Sequence, residues 1–105
     1  MDFSHPILDT IRERPAMYLG EPSLIRLSAF VDGYLACEYD NRLLPYKEPE
    51  TAEFCEWLSR QLKTSASLGY VEMLLALDDG DDAAAYHDFW SYLDEYRAEK
   101  KPGGR

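Results

Sequence analysis

Apolar positions along the chain recur at helical spacing, and no stretch alternates in the two-residue period of a half-buried strand. Ile7, Leu8 and Ile11 share a first face, with Ser4 as its expected cap and Pro6 in its first turn. Pro15 has no backbone N–H and biases Arg14 away from the α region, so this short helix is expected to end at about Glu13. Arg14–Pro22 then reads as a connector, with Gly20 free to take a positive φ. Met17, Tyr18 and Leu19 are expected to plug the core from it. Ser23 is a good N-cap for a second helix, about Leu24–Tyr39, whose core face is Leu24, Leu27, Val31, Tyr34 and Leu35. Gly33 inside that helix costs up to about 1 kcal/mol relative to alanine and is expected to permit close helix–helix approach.

Asn41–Glu50 reads as a polar loop anchored by Tyr46. Thr51 is expected to cap a third helix, about Ala52–Leu62, with Phe54, Trp57, Leu58, Gln61 and Leu62 along one side. Glu56 and Arg60 have the spacing of a surface pair. After the polar link Thr64–Ser67, Gly69 either marks a turn or lets Tyr70 pack closely. A fourth helix, about Leu68–Leu77, is apolar on nearly every side and is expected at the centre. The last helix, about Asp82–Glu99, carries Ala85, Phe89, Tyr92 or Leu93, and Tyr96 on one stripe, widened by Tyr86 and Trp90. That is more aromatic surface than one helix usually buries, so part of Tyr86, Trp90 and Tyr96 is expected to stay half exposed. The expected fold is all-α: one bundle of five helices over residues 1–99, with a short first helix, a central apolar fourth helix and a flexible tail at 100–105.

Composition narrows the partners. The 105 residues can form one modest core, and 46% hydrophobic content argues for a folded chain. The formal net charge of −9 opposes contact with phosphates and anionic lipid surfaces, so neither nucleic acid nor a membrane is expected as partner. A basic protein partner is favoured, because a negative field raises its encounter rate. No apolar run is long enough to span a bilayer, and Met1–Pro6 has no basic region followed by an apolar one, so a cytoplasmic protein is expected. Cys37 and Cys55 read as buried free thiols.

Candidate chemistry is sparse. Asp78-Asp79-Gly80-Asp81-Asp82 gathers carboxylates around a glycine, but it lacks the ligand spacing and terminal Glu of a calcium loop. The plainer reading is a helix C-cap at Gly80, with Asp81 or Asp82 capping the next helix. His5 reads as solvent-exposed and His87 as holding a structural hydrogen bond. No pair of residues assigns an acid, base or nucleophile, so no catalytic residue, no metal and no cofactor is expected, and the chain is not expected to be an enzyme.

Two resemblances attach to Arg12–Gly20. The run is similar to the N-terminal segment of gyrase B type ATPases, matching it at Arg12, Arg14, Pro15, Met17, Tyr18 and Gly20. The match then fails: the following helix holds no Asn for magnesium, and Asp79-Gly80-Asp81 is not the Asp-x-Gly-x-Gly adenine motif, so no ATPase function is carried over. The second resemblance covers most of the chain. Arg-x-Arg-Pro-x-Met-Tyr-Leu-Gly, Pro22-Ser23-Leu24, Phe30–Tyr34, Phe54-x-x-Trp57-Leu58 and Phe89-Trp90-x-x-Leu93-Asp94-Glu95-Tyr96 look similar to small helical immunity proteins of bacterial polymorphic-toxin and contact-dependent inhibition systems. That resemblance implies a toxin inhibitor which occludes the active site of a cognate toxin domain. A cationic, nuclease-type toxin suits the charge. The expected contact residues are Asp78, Asp79, Asp81, Asp82, Asp88, Trp90, Asp94 and Glu95, with Arg12 and Arg14 either gripping an anion or a partner's carboxylates or pairing within the fold. The alternative is a small helical adaptor or regulator that self-associates, as a homodimer, or docks on an endogenous enzyme.

Overall fold

A computed structural model of the chain describes residues 6–41 and 51–100. The expected Ser4 cap, His5, the Tyr46-anchored loop and the tail beyond residue 100 lie outside them. The described residues are helical throughout their regular elements: α1 Pro6–Glu13, α2 Pro15–Leu19, α3 Leu24–Asp40, α4 Thr51–Leu62, a 3-10 turn Ala66–Leu68, α5 Tyr70–Leu77 and α6 Asp82–Lys100. The all-α reading holds, and six α-helices replace the expected five.

The additional helix is α2, within what the sequence presents as a connector. Pro15 does break α1, and Arg14 sits at φ −139°, outside the α region. Its fixed φ then suits the first position of a new helix, so one residue ends α1 and starts α2. Gly20 closes α2 at φ +83°, and a Cβ there would meet the Arg26 guanidinium at 2.9 Å. Arg26 Nη1 in turn donates to the Leu19 carbonyl at 2.7 Å. Of the expected plug, Leu19 is buried and Tyr18 half-buried, but Met17 is 69% exposed. Five helical residues can turn only one side inward.

Ser23 caps α3 as expected, its Oγ accepting from the Arg26 N–H at 3.0 Å. Leu24, Leu27 and Val31 enter the core. Tyr34 does not, and Leu35 is half-buried. Beyond Val31 no residue of α3 is fully buried. Cys37 is accordingly exposed rather than buried, while Cys55 is buried, and both are free thiols. Nothing lies within 4 Å of where a Cβ on Gly33 would stand, so packing among the described residues does not account for that glycine.

The central helix is α6, not the apolar helix before it. α6 packs against α3, α4 and α5 and buries Ala85, Tyr86, Phe89, Trp90, Leu93 and Tyr96. Tyr86, Trp90 and Tyr96, expected to be half exposed, are each at most 4% exposed. Facing aromatics make this possible: Phe54 lies 6.1 Å from Phe89 and 5.2 Å from Tyr96, and Tyr70 lies 5.6 Å from Phe89, ring centre to ring centre. α5 buries Tyr70, Met73 and Leu74 but leaves Glu72, Ala76 and Leu77 in solvent. Eight residues flanked by neighbours on one side cannot bury a full circumference, whatever their composition. Gly69, at φ +81°, is a turn immediately before α5.

Candidate partner-binding surface

The α5–α6 corner is built by helix termini. α5 ends with the Gly80 N–H donating to the Leu75 carbonyl at 2.7 Å and the Asp79 N–H to Ala76 at 3.4 Å. That pairing is a Schellman closure, and it places Asp79, at φ +54°, in the left-handed position usually held by glycine. Gly80, the expected cap, follows at φ +84°, one residue beyond this left-handed position. Asp81 then caps α6, its Oδ1 accepting from the Ala84 N–H at 3.1 Å.

The eight predicted contact residues divide into three groups. Asp82 is engaged within the fold: it accepts the Ile25 N–H at 3.1 Å and the Ser23 hydroxyl, so it caps α3 from across the bundle. Asp94 and Trp90 belong to a seam with α1. Arg12 donates to both Asp94 oxygens, at 2.8 and 2.7 Å, and its guanidinium lies 4.9 Å from the centre of the Trp90 ring. One turn along, Arg97 pairs with Asp9 at 3.2 Å. The hydrogen bonds of this pair raise the Arg12 pKa and hold the Asp94 carboxyl below its usual range. Trp90, proposed as an exposed anchor, is instead covered by Arg12 and is no surface contact.

The remaining predicted residues, Asp78, Asp79, Asp81, Asp88 and Glu95, do come together. Asp88, Tyr92 and Glu95 lie along one side of α6, and the Asp88, Glu95 and Asp78 charges all raise the Tyr92 phenol pKa, after burial. Asp88, beside Asp78, favours its protonated form and raises its pKa from 3.8 to about 6; burial and the charges of Asp88, Asp81 and Asp79 add to the shift. Among the described residues no arginine or lysine forms an ion pair with any of these five carboxylates. None of the described His, Cys, Asp and Glu residues gather into a group of three or more suited to a metal ion.

The two arginines part company. Arg12 is locked onto Asp94, whereas Arg14, before α2, is exposed and forms no ion pair. His87 is exposed and meets Tyr86 edge-on at 5.5 Å instead of holding the expected hydrogen bond. Glu56 and Arg60 do not pair; Glu53 pairs with Lys100 instead, and Trp57 Nε1 donates to Glu99 at 3.0 Å. These bonds tie α4 to the end of α6. No described helix is long and apolar enough to cross a membrane. Comparison with known proteins returns no matching family model, no matching curated protein and no matching solved structure.

Proposed function

We propose that the chain is an immunity protein that binds a cognate toxin domain, cationic and of the nuclease type, and blocks its active site. The observation that carries this reading is the α5–α6 corner: Asp78, Asp79, Asp81, Asp88 and Glu95 grouped on one side, with no cation paired to them among the described residues. A nuclease active site must be electropositive to hold a polyanion, so a rigid cluster of carboxylates is complementary to it. The inhibitor contributes no chemistry. Its net charge of −9 steers the encounter, and the helix ends at the corner fill the space the substrate would take. Asp82, Trp90, Asp94 and Arg12 serve the fold, whereas Arg14 is exposed and, among the described residues, outside any ion pair, so it can make a contact of opposite sign.

The test begins with affinity capture of the tagged chain from its native host, and the captured basic toxin domain is then purified. Association is followed by stopped flow from about 20 mM to 500 mM salt. The rate constant is expected to fall at least tenfold across that range. Asp79→Asn combined with Asp88→Asn is expected to slow association further at low salt. An on-rate indifferent to both salt and these substitutions overturns the assignment.

A further inference from the structure

α1 and α2 are built from adjacent residues but are held to different parts of the fold. α2 is clamped to α3: Tyr18 meets Phe30 edge-on at 5.9 Å, and Arg26 holds the Leu19 carbonyl. α1 lies instead along α6, with Asp9 paired to Arg97 and Arg12 to Asp94. Between the two helices stands one non-helical residue, Arg14, at φ −139° and ψ 64°. Pro15, which follows it, has no N–H to donate back across the joint. An eight-residue helix is too short to persist by itself, so α1 owes its order to what it touches. That contact carries a conflict. Leu8 and Ile11 are fully buried and hold α1 in place. The two ion pairs are open to water and add little. Against them, the Tyr86 hydroxyl and the Trp90 indole N–H are closed off from solvent, and neither has a hydrogen-bond partner among the described residues. Both belong to this seam. The Arg12 guanidinium stands 4.9 Å from the centre of the Trp90 ring, Tyr86 packs edge-on against Trp90 at 6.1 Å, and Tyr86 lies within electrostatic reach of Arg12. A buried polar group without a partner opposes closure, because water would satisfy it.

We infer that α1 is a strap: it swings off α6 as a unit about Arg14, while α2 stays clamped to α3, and the protein thereby reaches a second folded state in which Tyr86 and Trp90 meet water. The closed state predominates, because burial of Leu8 and Ile11 outweighs the two unpartnered groups, and the opening constant is expected on the order of 10⁻³. Opening of this kind releases one seam and leaves the rest of the core in place. The packing of Phe54 on Phe89 and Tyr96, between α4 and α6, does not involve α1 and persists in the open state.

The test is native-state hydrogen exchange of the full chain, followed by NMR at urea concentrations below the unfolding transition. The amides of Ile11 and Arg12 and the Trp90 indole N–H should exchange through one opening event of small urea dependence. The amides of Phe89 and Leu93 should be about a hundredfold better protected and follow the full urea slope of global unfolding. Tyr86→Phe keeps the ring and removes the unpartnered hydroxyl, so it should lower the α1 opening constant by about fivefold or more. Arg12→Ala removes one ion pair and the cover over Trp90, and should raise that constant about tenfold. An α1 whose amides share the urea slope of α6 overturns the inference, as does a Trp90 indole N–H that exchanges with Phe89 rather than with Ile11. A Tyr86→Phe chain whose opening constant is unchanged or higher overturns it as well, since the hydroxyl then has a partner in the closed state. So does an Arg12→Ala chain whose α1 opens no more readily than in wild type.

Discussion

Removing the Arg12 guanidinium separates the roles of two arginines only two positions apart in sequence. Arg12 bonds both oxygens of Asp94 and lies over Trp90. The pair is open to water, with 38% and 51% of the two side chains exposed, so its electrostatic contribution is held to about 0.5–1 kcal/mol. The cation over an indole adds roughly 0.5–1 kcal/mol. The aliphatic stem also keeps Trp90 at 4% exposure, and baring part of that ring costs more. Arg12→Ala is therefore expected to lose about 1.5–2 kcal/mol, some 6–14 °C in Tm for a chain of this size. Arg12→Met, which keeps a stem over the ring, should recover part of the loss. Arg14→Ala, at an exposed position without an ion pair, should stay within about 0.5 kcal/mol of wild type.

Urea unfolding at pH 7, followed by circular dichroism and tryptophan emission, measures all three, and a cycle with Asp94→Ala isolates the pair at roughly 0.5–1 kcal/mol of coupling. If Arg12→Ala and Arg14→Ala are equally harmless, the seam is ornamental and the assignment of Arg12 to the fold fails.

Two further substitutions probe the carboxylates. Asp82→Ala removes the acceptor for the Ile25 N–H and the Ser23 hydroxyl while leaving Ser23 to cap α3, and should cost about 1.5–3 kcal/mol in urea unfolding; a loss below 0.5 kcal/mol would show that α3 needs no second cap. Asp78 has a folded pKa of about 6 against 3.8 for the free side chain, so the folded state holds its proton more tightly between those values. Its contribution therefore falls as pH rises from about 4 to 6 and stays lower above. Asp78→Asn should raise the urea midpoint more at pH 7 than at pH 4, and an equal change at both would contradict the raised Asp78 pKa. Asp94 has the opposite sign: its folded pKa is depressed, so its contribution is present above the unfolded value and lost as pH falls through the folded one. The drop on acidification should shrink in Asp94→Asn.

Helix positions were legible because they rest on local rules. Pro15, Ser23 and the apolar periods mark the breaks and faces of α1, α3, α4 and α6, and each does so without reference to the rest of the chain. What the pattern does not carry is which face meets which neighbour. Period alone cannot distinguish Tyr34 in the core from Tyr34 in solvent; that depends on where α2 and α5 stop covering α3. The apolar run of α5 marks it as buried, yet coverage is a property of its neighbours, and Leu77 stays 47% exposed. The α1–α6 seam did leave a signal. Asp9 and Arg12, and Asp94 and Arg97, are each an acid followed three residues later by an arginine, an arrangement that pairs both ways when the helices run antiparallel. Only knowing that α1 lies along α6 turns that signal into Arg12–Asp94.

Once the seam carboxylates are accounted for, the α5–α6 corner stands apart energetically. Asp9, Glu53 and Asp94 each meet a cation, and Asp82 meets two donors. The turn itself asks little of the others: a cap at 81 and residues tolerant of positive φ at 79 and 80, for which asparagine and glycine serve as well as aspartate. The charges on Asp78, Asp79 and Asp88 are therefore unfavourable to folding, and the proton retained by Asp78 up to about pH 6 is the local sign of it. A fold-only account and the toxin-binding account then differ in sign for the same change. Replacing Asp79 and Asp88 with asparagine should leave stability equal or higher on both, because repulsion is relieved. Only on the toxin-binding account does the same chain associate more slowly with its cationic partner. Gain in stability with loss of association rate is the combination that identifies charge retained for binding; gain in stability alone would return the corner to a turn with surplus aspartates.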